Sequence, residues 1–175
     1  ICLNAISEFK KHNITVANIK EEMNNTKNKY LQTKLNDINI IYESFENQLA
    51  GKYIDDTDLL TILSEIIDKT DMFKESLIYI DEFAGFTSQE YKIIKKLLTL
   101  AKSVTITVCT NDLNLNSNPD TDIFYSNKTT TSKIIELEEN QENIEKVKLE
   151  ENKRFKNLEL QHLEQNLYKN TYTKY

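Results

Sequence analysis

Two adjacent carboxylates, Asp81 and Glu82, stand at the end of the run Leu77-Ile78-Tyr79-Ile80. An apolar, β-branched stretch of this kind reads as a buried strand, and the exit of a strand is where an open α/β sheet usually places its ligand. An Asp at that exit can hold Mg²⁺, and a following Glu can polarise an attacking water. The plainer reading is a buried strand whose acids begin a polar loop, and the residue types alone leave both open. Asp55, Asp56 and Asp58 form a second acidic group. Helix capping and the helix dipole account for that triplet more simply than a metal does. A free-standing Mg²⁺-dependent hydrolase would need a His, a Lys or a third carboxylate spaced to join Asp81 and Glu82, and none is.

The pattern at 77 to 83 is that of a Walker B element, whose Asp holds the Mg²⁺ of a bound nucleotide. A phosphate cradle is the other half of such a site, and it needs glycines that let backbone N–H groups approach the phosphates, followed by a Lys. The 175 residues contain 2 Gly, Gly51 and Gly85, and neither precedes a Gly-Lys-Ser/Thr, so the chain carries no Walker A. It begins Ile1-Cys2-Leu3 without an initiator Met and reads as a piece of something longer.

The elements that must position the two acids are legible from periodicity. Residues 1 to 50 read as helical: Leu31, Leu35, Ile38, Ile41, Phe45 and Leu49 recur three and four apart, and Gly51 suits a C-terminal cap. A second helix has Asp56, Thr57 and Asp58 as N-cap candidates, with Leu59, Leu60, Leu63, Ile66 and Ile67 as its apolar face. From Leu77 the period turns strand-like. Strand 77 to 81 is followed by Thr87-Ser88-Gln89-Glu90, a capping box that opens a helix over 88 to 101 with Tyr91, Ile94, Leu97, Leu98 and Ala101 inward. The lysines on that helix, Lys92, Lys95, Lys96 and Lys102, read as a solvated face rather than a DNA groove. A β run over 104 to 109 follows, with Cys109 as a buried small hydrophobe. Strand, helix and strand at this length make one βαβ unit with parallel strands. Beyond an exposed loop at 111 to 121, the sequence suggests a helix near 129 to 140 and a third strand over 144 to 149. A last helix from Asn157 should bury Leu160, Leu163 and Leu167.

Composition narrows the function classes. The 22 Lys+Arg against 28 Asp+Glu give net −6, which argues against the broad electrostatic footprint of a self-sufficient DNA binder. Two Cys and two distant His, His12 and His162, offer neither a disulfide framework nor metal-ligand spacing. No signal-peptide pattern and no apolar stretch long enough to span a bilayer is present, so a cytoplasmic protein without membrane contact is expected.

The order of these pieces resembles the superfamily 1 helicases of the UvrD/RecB type. Asp56-Thr57-Asp58-Leu59-Leu60 matches the Asp-rich end of their helical insertion, Asp81-Glu82-Phe83 their Walker B strand, Cys109-Thr110-Asn111-Asp112 their sensor motif, and Asn152-Lys153-Arg154-Phe155 their Asn-x-Arg motif. More closely, Tyr79 through Thr87 with Gln89-Glu90-Tyr91, Ile41 through Phe45, Arg154 through Asn157 and His162-Leu163-Glu164 resemble the B subunits of AddAB-type ATP-dependent helicase/deoxyribonucleases.

That resemblance implies an α/β fold: a partial RecA-like parallel sheet of the P-loop NTPase kind over 71 to 150, an N-terminal helical insertion over 1 to 70, and a lead into a second motor domain over 151 to 175. It implies a nucleotide site of Asp81, Glu82, Thr110 and Arg154, with Asp81 on the Mg²⁺ and Asp81 and Glu82 as the catalytic pair. In the parent protein it implies Mg²⁺ and ATP as cofactors, and DNA and an A subunit as partners in double-strand break repair. The B subunits carry a helicase-like fold that scans unwound DNA for a hotspot sequence, and a nuclease domain that lies outside this piece. Departures from the active helicases argue against motor activity: Ala84 and Gly85 stand where Gln-Asp would follow Asp-Glu, and Cys109, Thr110 and Leu113 replace the sensor's Gly, Asp and Gln. The isolated chain is expected to hold no nucleotide and to bind DNA weakly. A competing reading is a non-catalytic interaction module whose amphipathic helix, Leu31 to Leu49, docks a partner beside a βαβ core.

Overall fold

A computed structural model describes residues 2–112, 114–149, 151 and 156–167. They fall into two compact units, one ending at Ile144 and one beginning at Glu145. The first opens with three helices: α1 (Cys2–Lys11), α2 (Val16–Asn25) and α3 (Lys29–Leu49). The helical stretch is broken where side chains cap the backbone better than continuation would. Thr15 and Asn18 form a reciprocal capping box at the start of α2, and Asn28 accepts from the N–H groups of Tyr30 and Leu31 at the start of α3. At its far end α3 stops on Ala50, and Gly51 takes the left-handed φ of 71° that a glycine adopts without strain.

Ile6, Ile19 and Tyr42 form the buried centre of this bundle, with Phe9, Val16, Leu35, Ile38 and Phe45 packed around them. The stripe of α3 is therefore centred one position away from the expected one: Tyr42 is buried, while Leu31 and Ile41 are exposed. Tyr42 is amphipathic and reaches the Ile14 carbonyl with its hydroxyl at 3.2 Å, so a ring that reads as polar in sequence can occupy the core.

The acidic triplet does not cap. Residues Asp56–Asp58 form a 3₁₀ turn ahead of α4 (Leu59–Ile66), and neither Asp55 nor Asp58 makes a side-chain cap bond. Lys10 of α1 takes their carboxylates instead. Its ammonium lies 2.8 Å from Asp58, 3.2 Å from Asp55 and 3.0 Å from Glu46 of α3, with its own side chain only 4% exposed. Burial opposes the charge, but the hydrogen bonds that the ammonium donates to Asp58, Glu46 and Asp55 outweigh it and hold the Lys10 pKa above the ordinary lysine range. A full-strength salt link between α1, α3 and the start of α4 results.

After a second 3₁₀ turn (Ile67–Lys69) the chain enters β1 (Leu77–Ile80), α5 (Ser88–Leu100) and β2 (Ser103–Ile106). The strands are parallel and in register, Leu77 opposite Ser103 and Ile80 opposite Ile106, as the βαβ reading requires. Thr87 caps α5 reciprocally with Glu90. Helix α5 packs on β2 and on α4, and Ser64, Ile67, Ile94 and Leu97 are buried there. Each of the larger apolar side chains contributes about 2 kcal/mol by leaving water. Gln89 is buried too and ties the helices, its amide donating to the Thr57 carbonyl at 2.7 Å and to the Thr61 hydroxyl at 2.8 Å. Of the α5 lysines, Lys96 pairs with Asp68 and Lys95 with Glu139, which fits a solvated face.

Several expectations need correcting. Strand β1 is buried on one face only: Ile78 and Ile80 are half-buried, whereas Leu77 and Tyr79 are 56% and 71% exposed, because helices cover a single side of this two-stranded sheet. Strand β2 ends at Ile106, and Cys109 is exposed. Residues 144 to 149 have alternating polarity but no strand beside them among the described residues, so they are not a strand. Helix α6 (Tyr125–Leu137) starts earlier than the pattern suggests, and Leu60 and Leu63 of α4 are inward whereas Leu59 and Ile66 are exposed. In the second unit α7 (Leu158–Asn166), capped by Asn157, leaves Leu160, Leu163 and Leu167 exposed. Among the described residues no helix is long and apolar enough to cross a membrane.

Candidate functional site

The end of β1 delivers Asp81 and Glu82 to solvent at the carboxyl edge of the parallel pair. The ladder runs one step past the strands, since the Thr107 N–H donates to the Ile80 carbonyl at 2.9 Å. That step brings the Thr107 hydroxyl to both acidic residues. It donates to Oδ1 of Asp81 and accepts the Glu82 N–H at 3.1 Å. Glu82 sits at φ 60°, in the left-handed region that a residue with a side chain adopts only under constraint.

Ring contacts and a hydrogen bond hold the segment after the pair, although Phe83, Ala84 and Gly85 stay exposed. Phe83 stacks on Phe86 with ring centroids 5.1 Å apart, and Phe86 meets the edge of Tyr91 on α5 at 5.5 Å. Helix α6 holds both post-strand segments. Thr130 donates to the Ala84 carbonyl at 3.0 Å and Asn127 to the Cys109 carbonyl at 2.7 Å. Lys128, nearly buried, pairs with Asp122 at 2.8 Å and lies 3.6 Å from Asp112. The hydrogen bond from Lys128 holds the Asp122 carboxyl below the usual carboxylate range.

Of the four residues expected to meet a nucleotide, the structure brings Asp81 and Glu82 together. Thr110 is engaged in its own loop, its hydroxyl donating to the Asp112 carbonyl at 3.1 Å. Arg154, with the Asn152 to Phe155 motif, lies outside the described residues. Thr107 and the anchors on α6 were not singled out by the sequence pattern. The parallel register could have found Thr107, because Asp81 follows Ile80 as Thr107 follows Ile106.

The donor set suits Mg²⁺. Two exposed carboxylates offer only oxygen, no ion pair reaches either of them among the described residues, and no group of three or more His, Cys, Asp or Glu is assembled there to cage a metal. Mg²⁺ takes one or two protein carboxylates and completes its shell with other oxygens, and two carboxylates are within that number. When bound, such an ion would neutralise charge on the β- and γ-phosphates.

A family model described as "ADDB, N-terminal" matches residues 2–164. Proteins named as the B subunit of an ATP-dependent helicase/deoxyribonuclease, from Clostridium botulinum (strain Langeland) and Clostridium kluyveri, are each 39% identical over 97% of this chain. The protein of the same name from Clostridium novyi is 37% identical over 97% of it. The chain spans 15% of the length of each of these relatives.

Proposed function

The chain belongs to the AddB N-terminal family, and from that premise we propose that it is part of the helicase-like region of a B subunit that acts with an A subunit on broken DNA in recombinational repair in the cytoplasm. Asp81 and Glu82 form the Mg²⁺-facing half of a nucleotide site, a Walker B element, whose phosphate cradle is supplied by another part of the same polypeptide. The observation that carries this reading is the placement of two exposed carboxylates, unpaired among the described residues, at the carboxyl end of a parallel strand.

The residues divide the work. Asp81 offers an oxygen to Mg²⁺, Glu82 stands where it could orient or deprotonate a water, and Phe83, Phe86 and Tyr91 stiffen the turn that follows. The loop position of Thr110 and the lost Gly-Asp-Gln pattern favour nucleotide binding over coupled translocation. The test uses the full-length protein with its A partner and a fluorescent ATP analogue in Mg²⁺. Asp81→Ala should weaken binding at this site at least tenfold, with circular dichroism unchanged. Unaltered affinity would favour the second reading, a non-catalytic interaction module, for which the exposed Leu31, Ile40 and Ile41 on α3 speak.

A further inference from the structure

We propose that Thr107 is the positioning residue of this site, its single hydroxyl fixing both the orientation of the Asp81 carboxylate and the backbone from which Glu82 projects. The inference rests on the nucleotide-site reading above and deepens it. A threonine hydroxyl has one proton to give and lone pairs to receive. Here the proton goes to Oδ1 of Asp81, and the Glu82 N–H, 3.1 Å away, takes a lone pair. Among the described residues both hydrogen bonds of this hydroxyl go to the two acidic residues. One consequence falls on Asp81: with Oδ1 engaged, rotation of the carboxylate is checked. Mg²⁺ demands near-octahedral geometry, so a carboxylate held in one orientation binds it better than a free rotor.

The other consequence falls on Glu82. Its φ of 60° is maintained because its N–H is held by Thr107, and the left-handed turn sends its side chain off the strand alternation. Thr107 can act in this way because its own backbone is fastened to Ile80 at 2.9 Å and because a β-branched side chain has few rotamers. Serine would keep the hydroxyl with a looser rotamer. Valine would keep the shape and lose both bonds.

The experiment uses the full-length protein with its A partner and the non-hydrolysable analogue adenosine 5′-(β,γ-imido)triphosphate, titrated by calorimetry with Mg²⁺ and again with EDTA. Thr107→Val should reduce the Mg²⁺-dependent part of the affinity by roughly 10–100-fold, the usual effect of losing a partner that orients a metal ligand. The affinity in EDTA should stay unchanged, and Thr107→Ser should recover most of the loss. Hydrogen exchange without nucleotide supplies a second readout, since the Glu82 amide should lose protection in Thr107→Val and keep it in Thr107→Ser. If Thr107→Val does not fold, Thr107→Ala is read in the same way. If Asp81→Ala abolishes the Mg²⁺ dependence while Thr107→Val and Thr107→Ala leave it intact, the inference is overturned and the nucleotide site stands. If Asp81→Ala itself leaves it intact, the site reading fails and takes the role of Thr107 with it.

Discussion

Replacing Lys10 by methionine should cost about 2–4 kcal/mol of folding free energy. The magnitude follows from what surrounds the ammonium. It makes three contacts to carboxylates at 2.8, 3.0 and 3.2 Å, and hydrogen bonds to charged groups are each worth about 1.5–3 kcal/mol. Simple addition would overstate the loss, because the side chains of Glu46, Asp55 and Asp58 are 43%, 25% and 33% exposed and water screens them once the cation is gone. Methionine is close to lysine in shape and removes the ammonium, which also lies 5.4 Å from the centre of the Phe45 ring, so the change reports on charge rather than on a cavity. Urea unfolding followed by circular dichroism measures it, as a lower midpoint at unchanged slope.

The pH dependence gives the sharper test. In the native protein Asp55 is held below its ordinary pKa by the Thr57 hydroxyl and then by Lys10. Its contribution is present above the unfolded value of about 3.9 and is lost as pH falls through the depressed folded value. Lys10 runs the other way: with its pKa raised, its contribution is complete below about 10.4 and fades as pH rises through the folded value. In Lys10→Met three carboxylates face one another with no cation, so stability should rise on acidification from pH 7 towards 5. A loss under about 0.5 kcal/mol, the ordinary range for a surface substitution, together with an unchanged pH slope would refute the argument that this lysine binds the three elements together.

Thr87→Ala removes the side-chain half of the α5 capping box and should destabilise the chain by about 1 kcal/mol, read as a shift in urea midpoint. Single-stranded DNA at physiological salt should show no submicromolar gel shift with the isolated chain, since net −6 leaves little counterion release to drive binding. A tight shift lost on changing Lys92 and Lys95 to Gln would mean that a local patch outweighs the global charge.

What could be read in the sequence was local. The Thr87 capping box, the length of α3 and the parallel βαβ arrangement all depend on residues within a few turns of one another, and the structure shows them at those places. Strand ends were read less well, because β-branched residues favour an extended backbone whether or not a neighbour exists. The run from Val104 to Cys109 keeps its propensity throughout, yet the ladder stops once β1 has turned away at Asp81, leaving Cys109 in solvent. Alternation over 144 to 149 fails for the same reason: it specifies two faces but no edge to pair with.

The candidate site divides along the same line. That Asp81 and Glu82 would emerge from a strand was legible. That a hydroxyl 25 and 26 positions away would bond to both was not, since it depends on register. The two acidic groups of this chain show why composition misleads. Asp55 and Asp58 resemble a metal cluster more closely than Asp81 and Glu82 do, but they face an ammonium that arrives from α1 and is buried among them, so part of their charge is already offset by the protein. Among the described residues Asp81 and Glu82 meet a neutral hydroxyl and form no ion pair, so their negative charge stays open to a cation. A carboxylate pair in that condition repels a free polyphosphate and accepts one that carries a divalent cation. On the proposed reading, that is the form in which a nucleotide reaches Asp81 and Glu82.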